Sequence, residues 1–482
     1  MVSDTAPRTA AIVNLGCKVN QSEVDAAARL LRSRGVAVVG SHDTADLILV
    51  NTCTVTAEAD AKSRSAVRRA RRENPNATVI VTGCSVQTAP EAFAAADPAA
   101  RLIDNRAKDD LLAELDALVR LPESPDGPVT TPLPTLSGVE LATVSDDRHV
   151  VERTRAFVKV QDGCSFFCTY CIIPTARGPE RSLRPEKVLA DVRRALAAGH
   201  REVVLTGINI GTYDGGWSER GPRGSHRAAA LTLAGLIRRL LDETDVERIR
   251  LSSIEPQHVD EDLLAAWQGS NGRCLPHFHL PLQSGDDGVL HRMGRRYDSA
   301  GYAATVARVR AAVPGVAIHG DVIAGFPTED DAAWERSLAF IREIGFAGIH
   351  IFRYSARPGT AAVRMASAVD EGTKKRRAAE LLAVAAEGRA AFAGRQVGRE
   401  ASVLFERHLA DGRWIGHAED HVLVVAAGDD LENAVGRVMI DGIDGEVADR
   451  AFGSIVALDR PRRRIRRDLP VVAAHQGGAH AV

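Results

Sequence analysis

The sequence has little of three features that would each narrow its class. No stretch of its 482 residues approaches the roughly 18 apolar residues that a membrane-spanning helix needs, and Met1–Thr9 has no basic segment followed by an apolar core. An excess of one charge is also missing, since 61 Lys and Arg face 63 Asp and Glu, so the whole chain offers no electrostatic argument for nucleic-acid binding. Seven cysteines are too few for a disulfide scaffold. We therefore expect a cytoplasmic protein without a membrane partner.

Neither a GxGxxG nor a Walker A sequence occurs, which removes support for dinucleotide and ATP chemistry. The composition is that of an ordinary globular protein, with 45% apolar and 26% charged residues. At about 150 residues per domain, the length predicts roughly three domains. Basic runs at Arg68–Arg72, Lys374–Arg377 and Arg460–Arg467 are local candidates for RNA contacts, although each run alone is typical of a solvated helix face or a tail.

The first 120 residues alternate short apolar runs with amphipathic stretches. Strands are predicted at Ala10–Leu15, Leu47–Val50 and Thr78–Val81, and helices at Ser22–Arg34 and Glu58–Glu73. This alternation is typical of an open parallel sheet with crossover helices. We assign residues 8–120 to this N-terminal α/β domain and residues 121–149, which are rich in Pro, Gly, Ser and Thr, to a linker.

The alternation of strands and helices resumes over residues 150–380. Strand candidates are Phe157–Val160, Glu202–Leu205, Arg248–Leu251, His277–Leu280, Ala317–Ile323 and Gly348–Phe352. Six β/α repeats predict a full or partial (β/α) barrel, with His277 and His279 as satisfied histidines of its interior. Short β-like runs broken by Gly and Asp predict a small C-terminal β-barrel within 383–458, followed by a basic, disordered tail at 459–482.

The strongest local signal is a group of three cysteines, Cys164, Cys168 and Cys171, in the segment GCSFFCTYCIIP directly after the first barrel strand. Three thiolates this close in sequence either converge on one metal centre or have no shared role. A 4Fe–4S cluster held by three cysteines keeps one iron open to an outside ligand. Structural zinc is the weaker alternative, because it takes four ligands and neither a second CxxC nor an HxxxH lies near.

Three further cysteines are dispersed in the sequence. Cys17, Cys53 and Cys84 each follow a predicted parallel strand by two or three residues. The carboxyl ends of parallel strands lie at one sheet edge, where ligands usually bind, so these distant thiols can meet there. One such cysteine alone would be interpreted as a small core residue, but three in the same position relative to a strand predict a second metal site. Cys274 has no partner and is interpreted as structural.

This order of a dispersed three-cysteine domain, a CxxxCxxC barrel and a small β-domain resembles the radical S-adenosylmethionine (SAM) methylthiotransferases. The motifs that carry the resemblance are NLGCKVNQSE around Cys17, NTCTVT around Cys53, TGCSVQ around Cys84, GCSFFCTYCIIPTARGPERS around Cys164, VLTGINIG (204–211), RIRLSSIEP (248–256), HLPLQSG (279–285), DVIAGFP (321–327) and YSARPGT (354–360). The resemblance covers roughly residues 8–455. Within the family, RLSSIEP, LTGIN and GCKVNQSE are most similar to the MtaB type, which acts on N6-threonylcarbamoyladenosine in tRNA.

The resemblance implies an enzyme that transfers a methylthio group to C2 of N6-threonylcarbamoyladenosine at position 37 of tRNA. It implies two 4Fe–4S clusters: one on the CxxxCxxC cysteines, which cleaves SAM to a radical, and an auxiliary one on the dispersed cysteines, whose open iron binds the sulfur. One SAM supplies the methyl group and a second supplies the radical. The implied partners are tRNA, SAM, a flavodoxin- or ferredoxin-like electron donor and a sulfur source. No catalytic side chain beyond the clusters is implied, because the cofactors carry the chemistry.

By motif match, the resemblance also implies SAM contacts at the carboxyl ends of the barrel strands, where barrel ligands gather. The candidates are Tyr170, Thr206, Gly207, Asn209, Ser253, Glu255 and Gln283. Each of these residues has an ordinary alternative role as a turn or capping residue.

The C-terminal segment is only weakly similar to the family's TRAM domain, a small β-barrel that helps to hold tRNA. The family's Gly-Tyr-Thr-x-Asn-Tyr stretch appears here as GHAEDH at Gly416–His421, without either aromatic residue. Arg413 and Trp414 therefore become candidates for RNA contacts. Thr328 and Arg353 also depart from the family, which usually has Gly and Pro at these positions.

Other functions stay open at this point. The same chemistry could act on isopentenyl-adenosine in tRNA or on an aspartate of a ribosomal protein. A non-catalytic Fe–S or zinc module could instead bind RNA, but a structural site has no reason to leave a ligand position vacant twice.

Overall fold

The computed structural model describes residues 7–41, 43–105, 108–119, 153–216, 231–444 and 450–465. The predicted linker, 121–149, and the predicted tail from residue 466 on lie outside the described residues. The described chain forms two compact units: residues 7–54, 58–119 and Arg153 belong to the first, and residues 55–57 with 154–465 belong to the second. Among the described helices, none has the length and apolarity that crossing a membrane requires.

A parallel sheet with helices on both faces forms the first unit. Its elements are β1 (Thr9–Asn14), α1 (Lys18–Ser33), β2 (Ala37–Val39), β3 (Leu47–Thr52), α2 (Ala57–Glu73), β4 (Thr78–Gly83), α3 (Cys84–Thr88), α4 (Pro90–Ala96), β5 (Arg101–Ile103) and α5 (Lys108–Val119), with strand order β2-β1-β3-β4-β5. Alternate residues of β1 face opposite sides, so Ala10 and Ile12 pack with α1 and α5, and Ala11 and Val13 pack with α2. The predicted open parallel α/β domain is confirmed.

Two of the strands that lead to cysteines are longer than predicted. β3 and β4 continue to Thr52 and Gly83, which are register partners in the parallel ladder. Cys53 and Cys84 therefore follow their strands directly, not two or three residues later as predicted. The apolar runs end at Val50 and Val81, but the polar residues that follow continue the backbone pairing.

A partial (β/α) barrel forms the core of the second unit. Its elements are β6 (Ala156–Lys159), β7 (Gln161–Asp162), α6 (Ile173–Arg177), β8 (Arg181–Ser182), α7 (Pro185–Ala198), β9 (Glu202–Thr206), α8 (Leu233–Glu243), β10 (Arg248–Leu251), α9 (Glu261–Gln268), β11 (His277–His279), α10 (Asp287–Met293), α11 (Ser299–Ala312), β12 (Ala317–Ala324), α12 (Asp331–Ile344) and β13 (Gly348–Arg353). The parallel ladders β6-β9-β10 and β11-β12-β13 are joined by the bridge Ser253↔His279. All six predicted strands are present, and no pairing among the described residues joins β13 to β6.

A closed five-stranded barrel follows, as predicted. Its strands are β14 (Glu400–His408), β15 (Trp414–Ala418), β16 (Leu423–Ala426), β17 (Val435–Ile443) and β18 (Arg450–Arg460), in the order β14-β15-β16-β18-β17. β18 passes the predicted end at residue 458, and the Pro461 carbonyl accepts a hydrogen bond from Arg201 Nη2 at 2.7 Å. Residues 459 and 460 of the predicted tail therefore continue β18, and Pro461 is bonded to Arg201.

Helix α13 (Glu371–Gly394) crosses the predicted boundary between the central domain, ending at 380, and the C-terminal domain, beginning at 383. Leu381 and Val384 pack in the core of the partial barrel, whereas Phe392 and Ala393 pack in the core of the small barrel. One continuous helix contributes to both cores. The two predicted domains therefore form a single compact unit.

A buried layer of charge joins the two barrels at the amino ends of the strands. The Glu202 carboxylate, fully buried, accepts bonds from Arg248 Nε at 3.0 Å and Arg250 Nε at 2.8 Å. The same arginines reach the small barrel, where Arg248 Nη1 donates to the Ser402 carbonyl at 3.2 Å and Arg250 Nη2 to the Ala418 carbonyl at 3.3 Å. Buried charges of this kind are tolerated only when they are paired.

Candidate active site

The CxxxCxxC cysteines lie on the loop between β7 and α6. The Cys164 N–H donates to the Gly178 carbonyl at 3.1 Å, and the Cys171 N–H donates to the Cys168 carbonyl at 2.9 Å. Gly163 precedes the loop with φ +70°, and a Cβ at this position would lie 2.0 Å from the Pro179 carbonyl oxygen. The tight entry into the loop therefore requires glycine.

The thiols of this loop are close enough to affect one another's ionisation. Burial raises the pKa of Cys164 to about 11 and that of Cys171 to about 12, and the nearby Cys168 contributes to both shifts. Both groups are thiols at neutral pH unless a cation stabilises the thiolates, which are the metal-binding form. Three sulfur donors on one short loop fit a 4Fe–4S cluster with an open iron.

A buried arginine that sequence analysis missed links this loop to the strand ends. Arg295 Nη1 donates to Cys168 Sγ at 3.5 Å and to Tyr170 Oη at 3.4 Å, and its guanidinium pairs with Glu255. Burial raises the pKa of Glu255, and Arg295 opposes that shift. Two of the predicted SAM contacts, Tyr170 and Glu255, therefore meet at one cation. Nothing in the sequence HRMGRRYD distinguishes Arg295 from a surface arginine.

The turn after β9 contains the predicted contacts Thr206, Gly207 and Asn209. Gln161, a second residue that sequence analysis missed, fastens this turn to the cysteine loop. Its Oε1 accepts from the N–H groups of Ile208 and Asn209 at 3.0 and 2.8 Å, and its Nε2 donates to the Gly163 carbonyl at 2.8 Å. A Cβ at Gly207 would lie 2.9 Å from the Gln161 carbonyl oxygen, so this close approach depends on glycine.

Several buried polar atoms at the strand ends have no hydrogen-bond partner among the described residues. They are Thr206 Oγ1, Ser252 Oγ and both side-chain amide atoms of Asn209, which is 3% exposed. Leaving such a group unsatisfied costs about 1–3 kcal/mol, so these atoms fit a polar ligand. Sequence analysis named Ser253 and missed Ser252. Ser253 lies in the bridge to His279, and no hydrogen bond among the described residues joins it to the cysteine loop.

A pocket of about 190 Å³ lies beside Tyr170 and Cys171. Most of its lining is apolar and includes Ile172, Ile323 and Phe352. Gln283, another predicted SAM contact, lines the same pocket with its backbone in the left-handed region at φ +69°. Its N–H donates to the Asp321 carbonyl at 2.7 Å and its carbonyl accepts from the Ile323 N–H at 2.9 Å, which hold that backbone in place.

Arg353 is the one cationic side chain among the residues that line this pocket. Its side chain is 49% exposed, and its guanidinium lies 3.7 Å from the carboxylate of Glu371, which is itself 72% exposed. So long a contact between exposed groups contributes little. The guanidinium is therefore available to an anion in the pocket.

The pocket's anionic side chain, Asp321, is already satisfied. Its Oδ1 lies 2.8 Å from His279 Nε2 and 3.1 Å from His350 Nδ1. Burial raises the pKa of Asp321, but the two histidines more than offset this and hold the pKa well below its ordinary value. The interpretation of His279 as a satisfied histidine of the barrel interior is confirmed.

The dispersed cysteines lie at one edge of the N-terminal sheet. Cys53 and Cys84 follow the register partners Thr52 and Gly83 on neighbouring strands, which lie about 4.8 Å apart. Ser85 Oγ donates to the Cys53 carbonyl at 2.5 Å, which joins the turn after β4 to the end of β3. The sheet thus places these two cysteines side by side.

Cys17 is joined to the same edge through Asn20. The Cys17 thiol donates to Asn20 Oδ1 at 3.3 Å, and Asn20 Nδ2 donates to Asn51 Oδ1 at 2.8 Å and to the Thr52 carbonyl at 3.2 Å. Exposure decreases from Cys17, which is exposed, through Cys53 to Cys84, which is buried. Three thiols at the carboxyl edge of a parallel sheet form a possible metal centre that solvent reaches from one side.

Cys274 and some of the basic side chains make contacts within the fold. Cys274 is buried in the core of the partial barrel, in agreement with its interpretation as structural. Within the basic runs, Arg377 forms a buried pair with Glu329 at 2.8 Å. Arg413, a predicted RNA contact, pairs with Asp411 at 2.6 Å, and Trp414 stacks edge-on against His408.

Comparison with known proteins relates both cysteine sites to families. Residues 9–104 match the family described as Uncharacterized protein family UPF0004, and residues 158–341 match the radical SAM superfamily. Threonylcarbamoyladenosine tRNA methylthiotransferase MtaB of Bacillus subtilis (strain 168) is 33% identical over 443 residues, which cover 89% of this chain and 92% of that protein. The chain belongs to the radical SAM tRNA methylthiotransferase family.

This methylthiotransferase is similar to relatives of two kinds. MtaB of Chlamydia pneumoniae is 39% identical over 353 residues, covering 73% of this chain and 76% of that protein. A tRNA-2-methylthio-N(6)-dimethylallyladenosine synthase of Novosphingobium aromaticivorans is 33% identical over 416 residues, which cover 86% of this chain and 90% of that protein. Sequence identity alone therefore does not decide the substrate.

The fold of the methylthiotransferase also agrees with that of a solved radical SAM enzyme. The methyltransferase TsrM from Kitasatospora setae, with cobalamin and a [4Fe-4S] cluster bound, aligns with a TM-score of 0.51 at 16% identity over 74% of this chain and 77% of that chain. This likeness shows a shared fold. As a member of the radical SAM superfamily, the methylthiotransferase uses SAM and a 4Fe–4S cluster.

Proposed function

We propose that this methylthiotransferase works in the cytoplasm and modifies C2 of N6-threonylcarbamoyladenosine at position 37 of tRNA, with two SAM molecules and two 4Fe–4S clusters. The observation that carries the proposal is the presence of two separate three-cysteine sites, one on the barrel loop and one at the edge of the N-terminal sheet. Each site has one cysteine fewer than a closed 4Fe–4S site. A cluster at either site would therefore have one iron without a cysteine ligand, and this iron could bind a molecule that is not part of the protein.

In this proposal the cluster that binds SAM is held by Cys164, Cys168 and Cys171. When bound, cluster and SAM supply the radical that removes a hydrogen from the substrate carbon. Arg295 keeps a positive charge beside Cys168, and Glu255 places an anion next to it. This pair of opposite charges is complementary to the carboxylate and amino groups of SAM.

The polar atoms that lack partners at the strand ends support the proposed SAM site. Asn209 and Thr206 would satisfy their buried side-chain groups on the ligand, and Gly207 lets the backbone approach it. We propose Ser252 as an additional contact on the same ground. The other proposed contacts are Tyr170 and Gln283, which share the pocket, and Ser253 and Glu255, which follow β10.

The auxiliary cluster would be held by Cys17, Cys53 and Cys84. The exposed position of Cys17 supports access for a sulfur source, which this chemistry needs in addition to tRNA and a flavodoxin- or ferredoxin-like electron donor. Asn20 would keep the loop of Cys17 beside the ends of β3 whether or not the cluster is present.

The guanidinium of Arg353 favours the threonylcarbamoyl substrate over a dimethylallyl one. The threonylcarbamoyl group carries a carboxylate, for which a guanidinium is the matching partner. A dimethylallyl group is apolar, so a pocket for it alone would not need a cation. The apolar part of the lining suits the flat face of the adenine base.

Nucleoside analysis tests the proposed substrate. We expect tRNA from cells that lack this protein to accumulate N6-threonylcarbamoyladenosine without its methylthio derivative, as measured by mass spectrometry. Accumulation of isopentenyl-adenosine instead would assign the enzyme to the other tRNA substrate. If the nucleosides of this tRNA are the same as in wild-type cells, the result would favour a ribosomal protein as the substrate.

The variant Arg353→Met should weaken use of the threonylcarbamoyl substrate about tenfold in kcat/KM, because one partly solvated charge-assisted contact is worth about 1.4 kcal/mol. Single-turnover assays with modified and unmodified anticodon stem-loop RNA measure this effect. Glu371→Gln is the matched control, since it removes the partner of Arg353 and keeps the guanidinium. An equal loss on RNA without the carboxylate would show that Arg353 does not recognise that group.

Iron analysis tests the auxiliary site separately. Anaerobically reconstituted protein should contain about eight irons per chain, and Cys53→Ala should contain about four. The variant Cys274→Ala should retain all the irons of the wild-type protein, because the thiol of Cys274 is buried in the core of the partial barrel. Wild-type protein with only four irons, unchanged in Cys53→Ala, would refute the second cluster.

A further inference from the structure

We propose that His277, His319 and His421 form a binding site for a divalent transition-metal ion of the zinc type, separate from both cysteine sites. Each histidine offers a ring nitrogen, and the three ligand atoms all lie within 4.8 Å of one another. The ring centroid of His277 lies 4.6 Å from the centroid of His319 and 4.6 Å from that of His421. The centroids of His319 and His421 are 5.3 Å apart. The three nitrogens would converge on one ion through rotation of the rings.

The site lies at the junction of the two barrels. His277 is the first residue of β11, and His319 is the third residue of β12, near the amino ends of the barrel strands. His421 lies on the turn between β15 and β16 of the small barrel. The cysteine loop and the proposed SAM contacts lie at the opposite, carboxyl ends. A metal ion here would join the partial barrel to the small barrel.

The chemistry of the three side chains fits such an ion. The neutral imidazole is the form of histidine that binds metals. A set of three imidazoles leaves a fourth position for water and suits zinc and its neighbours.

A fourth histidine supports the site from the small barrel. The ring of His417 lies 4.6 Å from that of His421, and its Nδ1 is 3.1 Å from Glu406 Oε1. A carboxylate on one imidazole nitrogen directs the other nitrogen, an arrangement common around metal-binding histidines. His417 therefore packs beside the His421 ring, next to the three proposed ligands.

The cations that face the cluster are paired with carboxylates. Arg155 and Arg250 are the nearby cations, with Arg155 Nη1 at 3.5 Å from His421 Nε2. Glu406 pairs with Arg155 at 3.0 Å, and Glu202 pairs with Arg250 at 2.8 Å. Both guanidiniums therefore have a carboxylate partner, and Arg250 shares its partner with Arg248. A divalent ion would bind His421 through Nδ1 or displace Arg155.

The backbone at His421 is also unusual. Its φ of +73° lies in the left-handed region, and its N–H donates to the Ala418 carbonyl at 3.0 Å. Residues other than glycine seldom adopt this conformation. The tight turn that imposes this conformation is also what brings the His421 ring against His277.

Metal analysis of the full chain with both clusters assembled tests the inference, because occupied cysteine sites do not compete for zinc. After incubation with zinc chloride and desalting, wild-type protein should retain about one zinc per chain, measured by mass spectrometry together with iron. His421→Asn, which tolerates the left-handed backbone, and His319→Asn should each lose this zinc and keep the iron. His291→Gln, at an exposed histidine of α10, is the matched control and should keep both.

Thermal unfolding gives a second, independent measurement. Zinc should raise the unfolding midpoint of wild-type protein and of His291→Gln, because it binds only the folded junction. It should leave the midpoint of His421→Asn unchanged. Wild-type protein that retains no zinc, or variants that retain as much as the wild type, would overturn the proposal, whatever the outcome for methylthio transfer.

Discussion

Replacing Cys168 with alanine should reduce reductive cleavage of SAM to the background rate, whereas replacing Cys84 should spare cleavage and stop methylthio transfer. The two residues belong to different cysteine sites on different elements, the loop after β7 and the start of α3. Loss of one thiolate from a three-cysteine site leaves too few ligands to hold a 4Fe–4S cluster. Each substitution should therefore remove the cluster of its own site and leave the other cluster in place.

The two reactions have separate products, which makes the expectation easy to measure. 5'-Deoxyadenosine formed with dithionite and SAM reports cleavage, and the methylthio nucleoside in tRNA reports transfer. Cys274→Ala should support both reactions, because its thiol is buried away from either site. Equal loss of cleavage in Cys168→Ala and Cys84→Ala would show that the two sites do not have separate tasks.

Replacing Glu202 with glutamine should lower the free energy of unfolding by about 3–5 kcal/mol, which is the usual cost of breaking a buried ion pair by removing one partner. Glu202 is fully buried and pairs with Arg248 and Arg250, whose side chains are 5% and 2% exposed. Without the carboxylate, two guanidiniums face each other inside the protein. Because these arginines also bond the small barrel, the loss should affect the junction of the two barrels first.

Urea unfolding monitored by tryptophan fluorescence measures this effect. The exposed pair of Arg239 and Glu243 supplies the control, and Glu243→Gln should leave the unfolding midpoint unchanged. Burial raises the pKa of Glu202, but Arg250 and Arg248 lower it by more, so it lies well below its ordinary value. The pair therefore stabilises the fold above the unfolded-state pKa of about 4.3, and this contribution is lost as pH falls towards the lower folded-state value. The difference in the free energy of unfolding between wild-type protein and Glu202→Gln should be constant near neutral pH. It should become smaller only at acidic pH.

Strand positions were predictable because strands of a parallel sheet are short apolar runs. β10 has the predicted bounds, Arg248–Leu251, and the other five predicted barrel strands overlap their observed ranges. The ends were less predictable where polar residues such as Asn51 and Thr82 continue the ladder. The boundary between the second and third predicted domains failed for a different reason. A helix with two apolar segments, around Leu381 and around Phe392, gives no sign in sequence that each segment enters a different core.

By itself, the sequence determined the family, the order of the elements and the two sets of cysteines, because these depend on residue identity, periodicity and spacing along the chain. Only the tertiary structure decided which distant side chains meet. Arg295 and Glu255 are far apart in sequence, as are His277 and His421, and each pair is brought together by packing between elements. The same holds for the unsatisfied amide of Asn209, since a lack of partners is a property of surroundings that only the folded chain creates.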